Sequence, residues 1–182
     1  MVFIVVIALV VVLGLVLMGM YNRLVRLRNR IENAWAQIDV QLQRRYDLIP
    51  NLIETVKGYA AHEKGVLEGV TQARANALNA QGPADKAAAD NIVTGALKSL
   101  FAVSEAYPDL KANQNFLALQ EELSGTEGKI AYARQYYNDS VRSYNTSIQS
   151  FPTNMLANQF HFAAREYYEA GDDARGAVRV QF

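Results

Sequence analysis

The sequence FLALQEELSGTEGKIAYARQYYNDSVRSYNTSIQSF at residues 116–151 decides the fold, because an apolar residue recurs in it at every seventh position. The series consists of Phe116, Leu123, Ile130, Tyr137, Tyr144 and Phe151, with Leu119, Ala133, Val141 and Ile148 between its members. This spacing is typical of one face of a long helix. It predicts a helix of about 40 residues, or about 60 Å at about 1.5 Å per residue, that ends at Phe151–Pro152.

A second long helix is predicted upstream, over about 38 residues after Arg23, with its end in the neighbourhood of Gly58 to Glu63. Its apolar residues are spaced by three and four: Leu24, Leu27, Ile31, Ala34, Ile38, Leu42, Ile49, Leu52, Val56 and Tyr59. Pro50 lies inside this series, where proline removes the hydrogen bond to the carbonyl four residues back. Asp47 could cap a fresh helix there. Because the phase of the series does not change at Pro50, a kink is favoured over a break.

Two shorter helices are predicted between the long ones. The first covers about 63–80, with Val66, Val70, Ala73 and Ala77 inward, and the second about 84–106, with Ile92, Ala96, Leu100 and Val103 inward. Gln81–Gly82–Pro83 separates them, and Tyr107–Pro108–Asp109 ends the second. The prediction is an all-α fold in which the four helices form an antiparallel bundle standing on a pair of long helices. Strand structure is conceivable only in the last residues, 176–182.

The first 22 residues, MVFIVVIALVVVLGLVLMGMYN, carry no charge. About 20 helical residues cross a bilayer core of about 30 Å, and 14 of these residues are Val, Leu, Ile or Phe. Together these contribute roughly −4 to −8 kcal/mol toward membrane insertion. One alternative is a helix buried in the core of the protein, but a surface that is apolar on all sides is wrong for a protein of this size. A cleaved signal peptide is the stronger alternative, but no basic residue precedes the run, the run is too long and no A-x-A pattern follows it. We predict an uncleaved transmembrane helix.

The orientation follows from Arg23, Arg26, Arg28 and Arg30, which precede the first acidic residue, Glu32. Basic flanks stay on the cytoplasmic side of a membrane. Three regions are therefore predicted: a transmembrane anchor at 1–22, a cytoplasmic antiparallel helical bundle with a membrane-proximal stalk at 23–151, and a mixed C-terminal tail at 152–182. Because two helices cannot cover the long apolar seam of the stalk, the tail or a second protomer is expected to pack on it.

Composition excludes several functional classes. Eighteen basic and 18 acidic residues balance, so the surplus of positive charge that nucleic-acid binding requires is missing. There is no cysteine for disulfides or thiolate chemistry, and His62 and His161 are the only imidazoles. The sequence contains no phosphate-binding loop, no zinc-protease motif and no nucleophile elbow. We expect no enzymatic activity, no cofactor, no metal and no nucleic-acid partner.

Two groups of charged residues are the candidate sites of contact with a partner. Arg44, Arg45 and Asp47 lie beside Pro50, and Glu105 and Asp109 flank the turn at Pro108. The structural interpretation is that these side chains pair near the freed carbonyl and cap the next helix. The functional interpretation is that they form a docking or anion-binding patch.

Four blocks of sequence resemble the LemA family of bacterial membrane proteins. They are AWAQIDVQLQRRYDLIPNLIETVKGYAAHE at 34–63, EAYPDLKANQNF at 105–116, ARQYYNDSVRSYN at 133–145 and FPTN at 151–154. The resemblance implies a short outer N-terminus, one transmembrane helix, a cytoplasmic helical domain and no established enzymatic activity. One relative takes part in forming an organelle membrane in magnetotactic bacteria. The tail departs from the family pattern at Val178, where a proline is frequent.

The favoured function is a membrane-anchored, non-enzymatic helical scaffold at the bacterial inner membrane. Its expected partners are the lipid bilayer through residues 1–22, further copies of itself in a homo-oligomer, and an unidentified protein. The alternative is a sensor-like helical domain that binds a small ligand or a regulatory partner.

Overall fold

A computed structural model describes residues 1–168, which fold into helices without any strand. The helices are α1 (Val2–Lys57), α2 (Lys64–Asn79), α3 (Gly82–Ser104), α4 (Pro108–Lys111), α5 (Gln114–Gln149) and α6 (Thr153–Gln159). The predicted all-α class is thereby confirmed for this part of the chain, whereas the antiparallel arrangement of a four-helix bundle stays a prediction. The possible strand at 176–182 lies outside the described residues.

Helix α1 is continuous through Pro50, so the chain does not break there. The predicted apolar face is buried at Leu24, Ile31, Ala34, Ile38, Leu42, Ile49, Leu52 and Val56. Tyr59 lies beyond the end of the helix and is 43% exposed. The first part of α1 is long and apolar enough to cross a membrane. None of the residues in its most apolar stretch is buried by the rest of the described protein.

The chain divides into two compact units. Unit 1 comprises Met1–Ala36 and Gln135–Glu166. Its buried apolar side chains come from α1 (Leu24, Ile31 and Ala34), from α5 (Tyr137, Val141, Tyr144 and Ile148) and from α6 (Ala157). The Trp35 ring also lies against the Tyr137 ring, with centroids 5.6 Å apart.

The segment that follows α6 is held against α5 within unit 1. Tyr144 Oη donates to the Ala163 carbonyl and Tyr137 Oη to the Glu166 carbonyl, each at 3.0 Å. Asn145 makes two reciprocal bonds of 2.9 Å with the backbone of Arg165, donating to its carbonyl and accepting from its N–H. Three side chains of α5 thus satisfy backbone groups of a segment that has no helical bonds of its own.

Unit 2 comprises Gln37–Arg134 and, within the described residues, Tyr167 and Tyr168. Helix α5 begins there with Asn113 as its N-cap, because the Asn113 side-chain oxygen accepts from the Phe116 N–H at 3.0 Å. The short helix α4 inside the turn at 105–113 was not predicted. Leu110 of α4 is fully buried and anchors that turn in the core of the unit.

The predicted inward face of α3 is wrong in part. Ile92 is 57% exposed, and the buried residues are Ala87, Ala89, Asp90, Val93, Leu97, Leu100 and Ser104. The face is rotated because Asp90, a charged residue that the apolar pattern assigns to solvent, lies inside the unit. The reason is its partner on α1, which belongs to the site described next.

Candidate functional site

A buried ion pair occupies the core of unit 2. Arg45 on α1 donates from Nη1 to Asp90 Oδ1 on α3 at 2.8 Å, and the two side chains are only 4% and 3% exposed. Arg45 Nη2 donates to Thr94 Oγ1 at 3.0 Å, while Thr94 Oγ1 donates to the Asp90 backbone carbonyl at 2.9 Å. The three residues therefore form a closed network that fixes α3 against α1.

Two buried tyrosines surround this pair. Tyr46 follows Arg45 on α1, and Tyr168 is fully buried at the end of the described chain. Burial raises the pKa of both phenols, and the negative charge of Asp90 raises each further. Tyr46 Oη has no hydrogen-bond partner among residues 1–168. Both phenols stay protonated at physiological pH and are therefore unsuited to serve as bases.

The charge state of Asp90 reflects two opposing influences. Burial raises the pKa of this carboxyl, and the positive charges of Arg45 and Arg134 lower it. Arg134 also stacks over the Tyr168 ring, with Cζ 4.8 Å from its centroid. The cluster thus holds two arginines against one buried carboxylate.

A cavity of about 220 Å³ opens beside the pair, between α3 and α5. Its lining includes Arg45, Thr94, Lys98, Phe101, Gln120 and Glu127. The space suits a small polar molecule, but the Arg45 guanidinium that borders it already donates to two protein oxygens. Within the described chain, no three His, Asp or Glu side chains are grouped so that they could hold a metal ion.

The other predicted contact residues lie at the surface. Arg44 pairs with Glu122 of α5 at 2.5 Å, and the two side chains are 49% and 42% exposed. Asp47 accepts from Gln43 at 2.8 Å. Glu105 pairs with Lys111, and Asp109 lies exposed in the first turn of α4. The structure thus places Arg45 in the core and leaves the other four accessible.

A further residue, which sequence reasoning missed, compensates for Pro50. Proline has no N–H to donate to the Tyr46 carbonyl, four residues back in the helix. Arg74 of α2 donates from Nε to that carbonyl at 2.7 Å. The freed acceptor is therefore satisfied from the neighbouring helix and not by Arg44 or Asp47. A lone arginine in α2 carries no sequence signal that points to this role.

Replacing Arg74 by methionine is expected to lower the free energy of unfolding by about 1.5–3 kcal/mol, because a charged hydrogen bond to a buried carbonyl is lost. The control is the same substitution in a Pro50→Ala background. There the new N–H at position 50 can donate to the Tyr46 carbonyl, so the loss should be less than half as large. Denaturant unfolding of the detergent-solubilised chain measures both. Equal losses in the two backgrounds would show that Arg74 does not serve this carbonyl.

Comparison with known proteins connects this geometry to a family. The family model described as the LemA family matches residues 34–182, which include α2 to α6, the buried ion pair and the whole tail. The chain belongs to the LemA family. The predicted resemblance is confirmed, and the match continues through the tail despite Val178.

Curated relatives of this LemA-family chain agree with the assignment. Protein LemA of Metamycoplasma hominis is 28% identical, over 88% of this chain and 74% of the relative. Magnetosome protein MamQ 2 of Paramagnetospirillum magneticum is 26% identical, and magnetosome protein MamQ of Magnetospirillum gryphiswaldense 27%. In both cases the match covers 84% of this chain and 66% of the relative, just under two thirds of the relative's length. Family, fold and apolar segment together indicate a membrane-associated helical protein.

Proposed function

We propose that this LemA-family protein is a membrane-anchored, non-enzymatic helical scaffold of the bacterial inner membrane. The observation that supports it most is the continuity of α1. Residues 2–19 are exposed all round, as a membrane-spanning segment requires, and the same helix continues without interruption into residues that are buried in the fold. The proposed anchor thus continues into the folded part of the chain as one helix, without a linker between them.

The proposed orientation places the N-terminus outside and the helical domain in the cytoplasm. Arg23, Arg26 and Arg30 are exposed on α1 directly after the apolar segment, where positive charge favours the cytoplasmic side.

The buried polar groups support a structural role, since Arg45, Asp90 and Thr94 form their hydrogen bonds with one another. Relatives named as magnetosome proteins support a scaffold by analogy.

The scaffold is proposed to associate with further copies of itself or with another protein. Unit 2 exposes large apolar side chains on several helices, among them Val40 at 63%, Ile92 at 57% and Tyr132 at 73%. These side chains are accessible for apolar contact with a partner. The acidic and basic residues Arg44, Asp47, Glu105 and Asp109 remain the proposed polar contacts with a partner.

Self-association is tested by the mass of the full-length protein in detergent at micromolar concentration, with the detergent contribution subtracted. We expect a mass of two or more chains. The control is a variant in which residues 2–20 are replaced by leucine, which keeps the anchor and removes any specific contact between spans. An unchanged mass places the contacts in the domain, whereas a strict monomer for the native chain would contradict self-association.

The alternative function is a sensor-like domain, and the cavity beside Arg45 is the observation that favours it. A ligand with a carboxylate would have to compete with Asp90 and Thr94 for the Arg45 donors. Breaking a buried pair of this kind costs about 3–5 kcal/mol, which a ligand small enough for about 220 Å³ must recover elsewhere. The scaffold is therefore the better-supported proposal.

A further inference from the structure

Helix α6 and its flanks expose a group of large apolar side chains within unit 1. Phe151 is 80% exposed, Met155 65% and Phe160 54%, while Ala157 on the opposite side of the helix is buried. The short helix therefore packs on the unit through one side, while large apolar side chains at the helix and its flanks are exposed. We call the exposed side chains Phe151, Met155 and Phe160 the α6 patch.

The position of the α6 patch along α1 is fixed by aromatic contacts. The Phe160 ring lies edge-on to the Tyr21 ring, with centroids 5.0 Å apart, and the Phe162 ring meets Tyr21 in the same way at 5.7 Å. Tyr21 is the first residue after the apolar run 2–20. Tyrosines at such positions lie at the membrane–water boundary, so the Tyr21 contact places Phe160 at the same depth.

Positive charge surrounds this contact. Arg23, Arg26 and Arg30 are exposed within the three turns that follow Tyr21, and the Arg28 guanidinium lies 5.7 Å from the centroid of the Phe162 ring. Arginines at the membrane surface attract anionic headgroups. Apolar side chains beside basic ones, at the end of a membrane span, match the chemistry of an anionic bilayer surface.

The backbone holds the patch in place. Helix α6 ends in a Schellman arrangement, in which Phe162 N donates to the Ala157 carbonyl at 2.9 Å and His161 N to the Asn158 carbonyl at 3.4 Å. His161 takes the left-handed conformation, with φ of 58°, that this cap requires. Beyond it, the chain is bonded to Asn145 of α5. The segment that carries the patch is thus held by its own helix cap and by hydrogen bonds to α5.

We infer that the α6 patch is a second membrane contact, whose side chains enter the boundary between headgroups and acyl chains of an anionic bilayer. This inference rests on the proposed anchoring through residues 2–20 and adds to it. With two contacts on one membrane, α1 and α5 are both restrained near the bilayer, and the rotation of the domain about the axis of its anchor is limited.

The chain contains no cysteine, so single-cysteine spin labels test the inference without further changes. Met155→Cys reports on the patch and Met18→Cys on the span, two matched methionine positions that are 65% and 61% exposed. Ala36→Cys is the water-side control, because Ala36 is exposed on α1, about 22 Å along the helix beyond Tyr21. Each label is read in vesicles of phosphatidylethanolamine and phosphatidylglycerol.

The readout is the accessibility of each label to oxygen, which concentrates in lipid, and to a nickel chelate, which stays in water. We expect the oxygen-to-nickel ratio at Met155→Cys to be several-fold higher than at Ala36→Cys and lower than at Met18→Cys. A ratio equal to that of Ala36→Cys, with Met18→Cys still in lipid, would overturn the inference and leave the anchor intact. A water-like ratio at Met18→Cys would remove the anchor and the inference together.

A third outcome separates lipid from protein as the occupant of the patch. Protection of Met155→Cys from both reagents would mean that a protein surface, such as a second copy of the chain, covers the patch. That result would also overturn the inference. Repeating the measurement at Phe151→Cys, the most exposed member of the patch, provides an independent position for the same comparison.

Discussion

Replacing Arg45 by methionine is expected to lower the free energy of unfolding by about 3–5 kcal/mol, the typical cost of leaving one partner of a buried ion pair without the other. Asp90 would keep its buried carboxylate, which is 3% exposed, and lose the guanidinium that neutralises it. Thr94 would lose a donor as well. Denaturant unfolding of the full-length chain in detergent, followed by far-ultraviolet circular dichroism, measures the change.

The neighbouring residue provides the matched control. Arg44→Met removes an ion pair of the same type, with Glu122, whose side chains are 49% and 42% exposed. Exposed pairs contribute between about 0 and 1 kcal/mol, so this variant should be nearly as stable as the native chain. The double variant Arg45→Met/Asp90→Leu should regain most of the loss, because apolar residues replace buried pairs at little cost. Equal losses for Arg45→Met and Arg44→Met would contradict the buried site.

The loss in Arg45→Met should depend on pH. Burial already raises the pKa of Asp90, and Arg45 opposes that rise; without Arg45 the pKa rises further. A folded-state pKa above the unfolded value of about 4 means that stability is greatest at low pH and falls as the pH rises through the folded-state value. The variant should therefore lose more stability at about pH 8 than at about pH 5. Adding Asp90→Asn should remove this dependence.

The long helices could be predicted because their patterns are apolar and regular. Of the six apolar residues spaced seven apart in the α5 pattern, the five from Phe116 through Tyr144 are buried. The sixth, Phe151, is 80% exposed because the helix ends at Gln149, before Pro152. A heptad pattern specifies which face is apolar, but the last member depends on where the helix stops.

The inward face of α3 could not be predicted from apolar residues, because the interior of unit 2 is partly polar. Asp90 is buried next to Ala89 and Val93, and a single carboxylate among apolar residues is assigned to solvent unless its partner is known. That partner, Arg45, lies 45 residues upstream. Pairing across such a distance leaves no periodicity in either helix.

Only part of the candidate site could be predicted, because its residues also pair across long distances in the sequence. Arg45 was named as a contact residue from its place beside Pro50, yet its burial and its link to Thr94 follow only from the packing of α1 on α3. Arg74 and Tyr168 were not named at all. Both act on neighbours that are distant in sequence: Arg74 on the Tyr46 carbonyl and Tyr168 on the Arg134 guanidinium.

The proposed function depends on the anchor, and labelling on the two sides of the membrane tests the anchor with an all-or-none result. The two positions compared are Val2, 79% exposed at the start of α1, and Tyr132, 73% exposed on α5. If residues 2–20 span the membrane with the arginine flank inside, Val2 faces the outside and Tyr132 the cytoplasm. Since the chain has no cysteine of its own, Val2→Cys and Tyr132→Cys each provide one thiol for labelling.

The most direct test is labelling of these two variants with a membrane-impermeant maleimide, in intact spheroplasts and again after lysis. We expect that Val2→Cys is labelled in intact spheroplasts and that Tyr132→Cys is labelled only after lysis. Labelling of Tyr132→Cys in intact spheroplasts would contradict a cytoplasmic domain. Recovery of either variant in the soluble fraction after lysis would contradict the membrane anchor itself.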